Sequence, residues 1–345
     1  MPTQDMKAVV CREIGPLSGL ALSDVDDPVP AAGEILLRVE ACGINFYDGL
    51  AVEGKYQTKP ALPFSPGGEV AGFVEAVGDG VSDFVPGDRV IAFCGFGGYA
   101  ERVCVRQEAA HILPANVDSD DAAAMLIAHA TAYHALKDRA ALQSGETVLV
   151  LGAAGGVGLA AVELASLMGA RVIAAASTKE KLSLARDYGA EACIDYATDD
   201  LRSCARELTG GRGVDVVVDP VGGKLAGDAM RSLAPNGRHL VIGFAAGDIP
   251  TIGFNQLLLK QISLIGVLWG AFARSEPQRN ATNLKKLIDW LEKGKLRPYI
   301  SETWPLERYD EALGRVMRRE TKGKVVLRLR KDATASMPAA AGASA

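Results

Sequence analysis

Between Gly145 and Val267, apolar runs of four to seven residues alternate with segments of helical length, and this alternation limits the fold more than any other feature. Strands separated by helices cannot pair as hairpins, so they pair in parallel and bury both faces under the helices. Strands are expected at residues 147–151, 171–175, 192–194, 214–219, 237–242 and 262–267. Val216, Val217 and Val218 are apolar without alternation, as a strand covered on both faces should be.

The first of these strands runs into Gly152-Ala153-Ala154-Gly155-Gly156-Val157-Gly158, followed by a helix over residues 159–168. Strand, glycine turn and helix in that order give a glycine motif meaning. The free N–H groups and dipole of the helix start suit a pyrophosphate. Gly155 permits close backbone approach of that group, and Gly158 permits close packing of helix on strand. Ala153 stands where the usual fingerprint has a glycine, and a tight turn that binds nothing is the plainer alternative. A second cluster, Gly95-Phe96-Gly97-Gly98, has no helix after it and reads as a turn. The chain has 38 glycines among 345 residues, above the ~7% typical of proteins, in keeping with many tight turns.

The end of the second strand, about 20 residues past the turn, meets the adenosine ribose in this kind of fold, and an acid there selects NAD. Here the stretch is Ala176-Ser177-Thr178-Lys179-Glu180-Lys181, with a hydroxyl at the strand end and two lysines after it. That composition suits the 2′-phosphate of NADP. Ser177 as a simple cap of the next helix, with Lys181 on a solvated face, is compatible with the same residues.

The first third of the chain has a different texture. Short β-type runs at residues 7–11, 34–41, 70–77 and 89–93 are broken by Gly, Pro and Asp, indicating an irregular, mostly β domain. A helix is expected over residues 278–293. The last strand, residues 324–329, has no partner in the parallel sheet and is assigned back to the first domain. Residues 333–345 are rich in Ala and Ser without periodicity and are expected to be disordered.

Composition excludes some classes of function. A net charge of −5 argues against a nucleic-acid partner. No apolar run approaches the ~18 residues of a membrane span, and residues 1–7 carry no basic-then-apolar leader. The six cysteines include no C-x-x-C pair and read as small packed thiols in a reducing compartment, so the cytoplasm is the expected location.

Several separated motifs resemble those of one family. They are residues 41–45 (Ala-Cys-Gly-Ile-Asn), 66–72 (Pro-Gly-Gly-Glu-Val-Ala-Gly), 86–90 (Pro-Gly-Asp-Arg-Val), the glycine turn, 219–223 (Asp-Pro-Val-Gly-Gly) and 323–327 (Gly-Lys-Val-Val-Leu). In this order they resemble the medium-chain dehydrogenase/reductase superfamily, and within it the zinc-free, zeta-crystallin-like quinone oxidoreductases. The resemblance implies a doubly wound parallel α/β Rossmann domain over residues 125–267, between the two parts of a GroES-like, mostly β catalytic domain, residues 1–124 and 268–332. It implies NADP(H) as cofactor, transferring hydride to a quinone or another α,β-unsaturated carbonyl, in a cleft between the domains. An enone or enoyl-thioester reductase is the alternative, and a dinucleotide-binding structural or regulatory protein a third. Gly155, Gly156 and Val157 would hold the pyrophosphate, and Ser177, Lys181 and Tyr196 the 2′-phosphate. Gly222, Gly243, Phe244, Ala245, Val267 and Leu268 would flank the nicotinamide. Asn45 and Thr131 would approach its ribose or the substrate, and Lys324 would join the cofactor contacts. Tyr47 and Tyr56, close in sequence, are candidate substrate donors, with ordinary packing the equal alternative for either. Such proteins commonly dimerise through the last Rossmann strand, here residues 262–267.

The zinc alcohol dehydrogenases of that superfamily have a cysteine where this chain has Asn45 and a histidine where it has Gly68. His111, His129, His134 and His239 lack ligand spacing and read as packing or surface residues, so no zinc site can be assembled. The substrate is thereby constrained. An alkoxide is roughly as basic as hydroxide, whose conjugate acid has a pKa of about 15.7. A phenolate-like anion from a quinone has a conjugate acid near ~10, and the difference corresponds to roughly 8 kcal/mol at most. Acceptors whose reduced form already tolerates charge are favoured, with hydrogen bonds from Asn45, a backbone N–H or water assisting. The quinone reductases often show Tyr-x-Arg where this chain has Leu50 and Val52, which makes the expected pocket more apolar. Tyr133 and Lys137 match the Y-x-x-x-K of short-chain dehydrogenases but precede the glycine turn, and are read as coincidence. Trp269 and Phe272 are candidates to wall the cleft, or equally for a buried junction.

Overall fold

The computed structural model describes residues 5–329; the expected disordered tail lies outside them. The chain divides into two compact units, one formed by residues up to 127 together with those from 284 onward, the other by residues 128–283.

The second unit is built on six parallel strands in the order Ala192–Asp195, Arg171–Ala176, Thr147–Leu151, Val214–Asp219, Leu233–Val241, Ser263–Gly266. This is the doubly wound arrangement, with the strand order reversing between Thr147–Leu151 and Val214–Asp219. The central strands bury Leu149, Leu151, Ile173 and Val217 completely, which explains why their sequences do not alternate.

In the first unit, a seven-stranded sheet has the strand Glu34–Ile44 at its centre. The late strand Lys324–Arg328 pairs antiparallel with it, setting Val325 opposite Ile44 and Leu327 opposite Cys42. On its other side lies Glu69–Val77, and Gly72 is needed there because a Cβ would fall on the carbonyl of Arg38. A smaller sheet joins Asp5–Cys11 to Leu20–Asp26. The strands Leu20–Asp26, Arg102–Arg106, Ala110–Ile112 and Ile300–Pro305 had no clear signature in the sequence.

The later boundary between the units falls at Leu284, beyond the expected residue 268. The reason is local packing. Trp269 is buried and donates its Nε1–H to Asn280 Oδ1 at 2.9 Å, and Phe272 stacks on His134 with ring centroids 4.0 Å apart. Both aromatics, considered above as cleft walls, are core residues of the second unit. Among the described residues, no helix is long and apolar enough to cross a membrane.

Candidate active site

In the second unit the strand Thr147–Leu151 turns at Gly152, whose φ of +57° suits glycine. The helix Gly156–Leu167 then starts with Gly155 as its N-cap. A Cβ on Gly158 would overlap the carbonyl of Gly152, so this glycine sets how closely the helix lies on the turn. Gly155 meets only Gly152 O at 3.4 Å, an ordinary contact, so the protein itself does not require glycine there. Gly156 and Val157 lie in the first helical turn, where backbone N–H groups have no intrahelical acceptor.

Ser177 follows the strand Arg171–Ala176 directly. The residue that caps the next helix, Lys179–Asp187, is Thr178, whose Oγ1 accepts the Lys181 N–H at 3.3 Å. The alternative role for Ser177, as cap, therefore falls to its neighbour. The parallel register sets Asp195 beside Ala176, and the Tyr196 N–H donates to the Ala176 carbonyl at 3.1 Å. Tyr196 thus lies at the same carboxyl edge of the sheet as Ser177, next to the helix that carries Lys181.

Across the switch point, Asp219 ends its strand with a buried carboxylate. Its Oδ1 accepts the N–H groups of Val221 at 2.9 Å and Gly222 at 2.7 Å, and its Oδ2 lies 3.0 Å from His239 Nε2. That arrangement bends the chain into Gly222, at φ +66°, where a Cβ would press on the Phe244 ring. Ala245 N–H donates to the Pro220 carbonyl at 3.2 Å, so residues 243–245 are held against the same turn, with Phe244 exposed. Val267 donates its N–H to Val241 O and is buried, whereas Leu268 is exposed. Thr131 is buried in the helix Ser119–Tyr133. Burial pushes the Tyr133 phenol up, and the Lys137 ammonium lies 5.4 Å from the centre of its ring while donating to Asn283 Oδ1.

In the first unit Asn45 precedes the helix Phe46–Val52, and its N–H donates to Asp48 Oδ2 at 2.8 Å. Its amide is held by two buried ions. Nδ2 donates to Glu69 Oε1 at 2.7 Å and to Gly43 O at 3.2 Å, and Oδ1 accepts from Lys324 Nζ at 2.7 Å. Both Nδ2 protons are engaged, so Asn45 is not the free donor that the sequence suggested for a developing anion. Lys324 donates also to Glu69 Oε1 and to Ile44 O, each at 2.8 Å. An ammonium has three protons. All three are taken inside the unit, which leaves none for a cofactor contact.

The half-buried Tyr47 donates its hydroxyl to Gly95 O at 3.0 Å, and burial pushes its phenol well above the ordinary range. Its ring stacks on Tyr56 with centroids 5.0 Å apart. With its proton directed at a carbonyl and its acidity suppressed, Tyr47 is poorly suited to proton donation. Val52 is in the core of the unit, whereas Leu50 is half-buried.

Zinc does not fit this site. A side chain at position 68 would begin where the Tyr47 hydroxyl lies, and the Asn45 amide is committed to Glu69 and Lys324. Among the described residues, no group of three or more His, Cys, Asp or Glu side chains is placed to hold a metal ion. His129, His134 and His239 each face a carboxylate, Glu163, Asp138 and Asp219 respectively. The Asp219–His239 pair and buried Asp48 were missed from sequence, as was the pairing of Glu69 with Lys324, although Asp219, Glu69 and Lys324 each lie inside a motif quoted above.

A doubly wound parallel sheet with a glycine turn, in a chain whose other unit carries Asn45 and Glu69, is the arrangement of a medium-chain dehydrogenase/reductase. The family model described as "Alcohol dehydrogenase GroES-like domain" matches residues 31–115, and that described as "Zinc-binding dehydrogenase" matches residues 156–292. The chain is 41% identical over 325 residues to a "Quinone oxidoreductase-like protein 2 homolog" of Nematostella vectensis, covering 93% of this chain and 88% of that one. It is 38% identical to the Bos taurus "Quinone oxidoreductase-like protein 2", covering 95% and 93%. A mycobacterial protein solved in complex with NADPH is 34% identical, with a TM-score of 0.88, covering 94% of this chain and all of that one. The chain belongs to the zeta-crystallin-like quinone oxidoreductase family of medium-chain oxidoreductases.

Proposed function

We propose that the protein reduces a quinone or another conjugated carbonyl at the expense of NADPH, without a metal. The observation that carries the cofactor preference is at the second strand of the parallel sheet. Its end has no acid, Thr178 does the capping, and Ser177 is left with Lys181 and Tyr196 at one edge. An uncharged hydroxyl beside a lysine attracts a 2′-phosphate, where an acid would repel it. Relatives solved with NADPH support the same reading. When bound, NADPH supplies the hydride. The residues of this chain bind and orient: Gly156 and Val157 offer N–H groups to the pyrophosphate, and the Asp219–His239 pair holds the Gly222 turn and, through it, residues 243–245.

The quinone reading rests on chemistry and on the relatives' names. With Asn45, Lys324 and Glu69 engaged with one another, these three residues offer no free cation to an alkoxide, and an acceptor that tolerates its own negative charge suits them best. An enone or enoyl thioester, whose reduction passes through a delocalised enolate, meets that requirement next best. Fluorescence titration with NADPH and NADH tests the first part. Turnover of 1,4-quinones, small enones and enoyl thioesters tests the second. Quinones should be reduced fastest, and preference for an enoyl thioester would replace this reading.

A homodimer is part of the proposal. The strand Ser263–Gly266 ends the parallel sheet, and the helix Asn255–Lys260 before it exposes Leu258 (77%) and Leu259 (78%), with Phe254 (85%) at its start. An open strand edge beside large exposed apolar side chains is what a second copy would cover.

A further inference from the structure

In the second unit, His239 is 1% exposed on a strand of the parallel sheet, a place that an aliphatic side chain would fill without needing a polar partner. The parallel register sets Val217 beside His239 and Asp219 beside Val241, so side chains 219 and 239 fall on one face of the sheet. A carboxylate oxygen only accepts, so the proton between His239 Nε2 and Asp219 Oδ2 belongs to the ring. The other ring nitrogen, Nδ1, is buried without a hydrogen-bond partner, which leaves the bond to Asp219 as the polar anchor of the imidazole.

Asp219 Oδ1 shapes the turn that follows, which carries two successive glycines at positive φ, Gly222 and Gly223. That turn is stitched to residues 242–248. Besides the bond from Ala245, Ile242 donates its N–H to Asp219 O at 3.0 Å, Ala246 to Val221 O at 2.8 Å, and Gly223 to Asp248 O at 3.1 Å. The two segments thus form one block. It also touches the glycine turn, since a Cβ on Gly152 would come within 2.8 Å of Val221 Cγ2. Ser177 lies away from this block, at the end of a strand on the far side of Thr147–Leu151.

We propose that His239 is a positioning residue which, acting through Asp219, fixes how this block sits against the glycine turn and so sets the affinity for the nicotinamide half of NADPH, leaving the adenosine half alone. This rests on the NADPH reading, in which residues 222 and 243–245 flank the nicotinamide. An aliphatic side chain at 239 leaves Asp219 Oδ2 buried without a donor, and the carboxylate relieves that by turning, which carries the Val221 and Gly222 N–H groups with it. What His239 must supply is one N–H at the reach of Nε2. A glutamine amide extends about that far, whereas an asparagine amide ends near the position of Nδ1.

The test is calorimetric titration of the full chain and of His239→Leu, His239→Asn and His239→Gln with NADPH. 2′,5′-ADP, which has the phosphorylated adenosine half without nicotinamide, is titrated in parallel. His239→Leu and His239→Asn should each weaken NADPH about tenfold, the effect of one hydrogen bond to a charged group. His239→Gln should stay within about threefold of wild type, because it restores the donor. Binding of 2′,5′-ADP should stay within about twofold in all three, since its contacts are distant from residue 239. A general loosening of the unit would weaken both ligands alike. Equal loss of both ligands, unchanged NADPH binding in His239→Leu, or the same NADPH affinity in the asparagine and glutamine variants would overturn the proposal; the last comparison decides it if the leucine variant does not fold. A wild-type protein that binds neither ligand would instead overturn the NADPH reading itself.

Discussion

The hydroxyl of Tyr47 lies where a Cβ on Gly68 would be, and donates from there to the carbonyl of Gly95. One residue's smallness is therefore the other's position. Any side chain at position 68, a histidine included, would have to displace the Tyr47 hydroxyl.

Gly68→Ala should destabilise the protein by about 1–3 kcal/mol, the range for overpacking. In a Tyr47→Ala background the same change should be much milder, because the obstructing hydroxyl is gone. Melting temperatures of the four proteins in the cycle measure this. Additive losses would mean that the two side chains do not compete for one space.

Ser177→Asp, alone or with Lys181→Ala, should reverse the nucleotide preference. A carboxylate at the end of the strand repels a 2′-phosphate and can accept from a free 2′-hydroxyl. NADPH affinity should fall by about 10–100-fold, the range set by one or two charge-assisted hydrogen bonds, while NADH binds as well or better. Titrations with both nucleotides give the ratio directly.

Burial raises the Asp48 carboxyl to about 7, against the opposing pull of the Asn45 N–H, the Lys324 ammonium and the Tyr99 hydroxyl. Its Oδ1 is buried without a hydrogen-bond partner. An acid with a raised folded pKa binds more protons folded than unfolded between its two pKa values. Its contribution is thus fully present below pH ~4 and is lost as pH rises toward ~7. Asp48→Asn, which resembles the protonated form, should flatten the fall in stability between about pH 4 and 7. Denaturant midpoints at several pH values measure this, and identical slopes for both proteins would contradict it.

Leu258→Glu together with Leu259→Glu should shift a dimer toward monomer in sedimentation or light scattering. Both leucines are already exposed in the single chain, so the fold should lose within ~0.5 kcal/mol, as surface substitutions usually do. An unchanged mass would place any subunit contact elsewhere.

The parallel sheet was legible because its signal is local. The strand Thr147–Leu151, its glycine turn and the uniformly apolar Val216–Val218 carry their burial in their own residues. The strand Ile300–Pro305 was not, since it contains Ser301, Glu302 and Thr303 and is held in place by distant partners such as Arg315 on Glu302. The site divides in the same way. Gly158 and Ser177 could be assigned roles from position along a motif. The engagement of Asn45 could not, because it is set by Lys324, 279 residues away, pairing opposite the strand that leads to it. Sequence singled out Asn45 as a candidate but could not show that its amide donates to Glu69 and accepts from Lys324.

The central claim is that conjugation in the acceptor, and not a metal, stabilises the charge left after reduction. The most direct measurement is NADPH oxidation above the uncatalysed rate with 1,4-benzoquinone and with a saturated ketone, before and after exhaustive chelation, and again with added zinc. Quinone turnover should be unchanged by chelation or zinc, with the saturated ketone left essentially unreduced. Turnover that disappears on chelation and returns with zinc, or a ketone reduced as readily as the quinone, would contradict it.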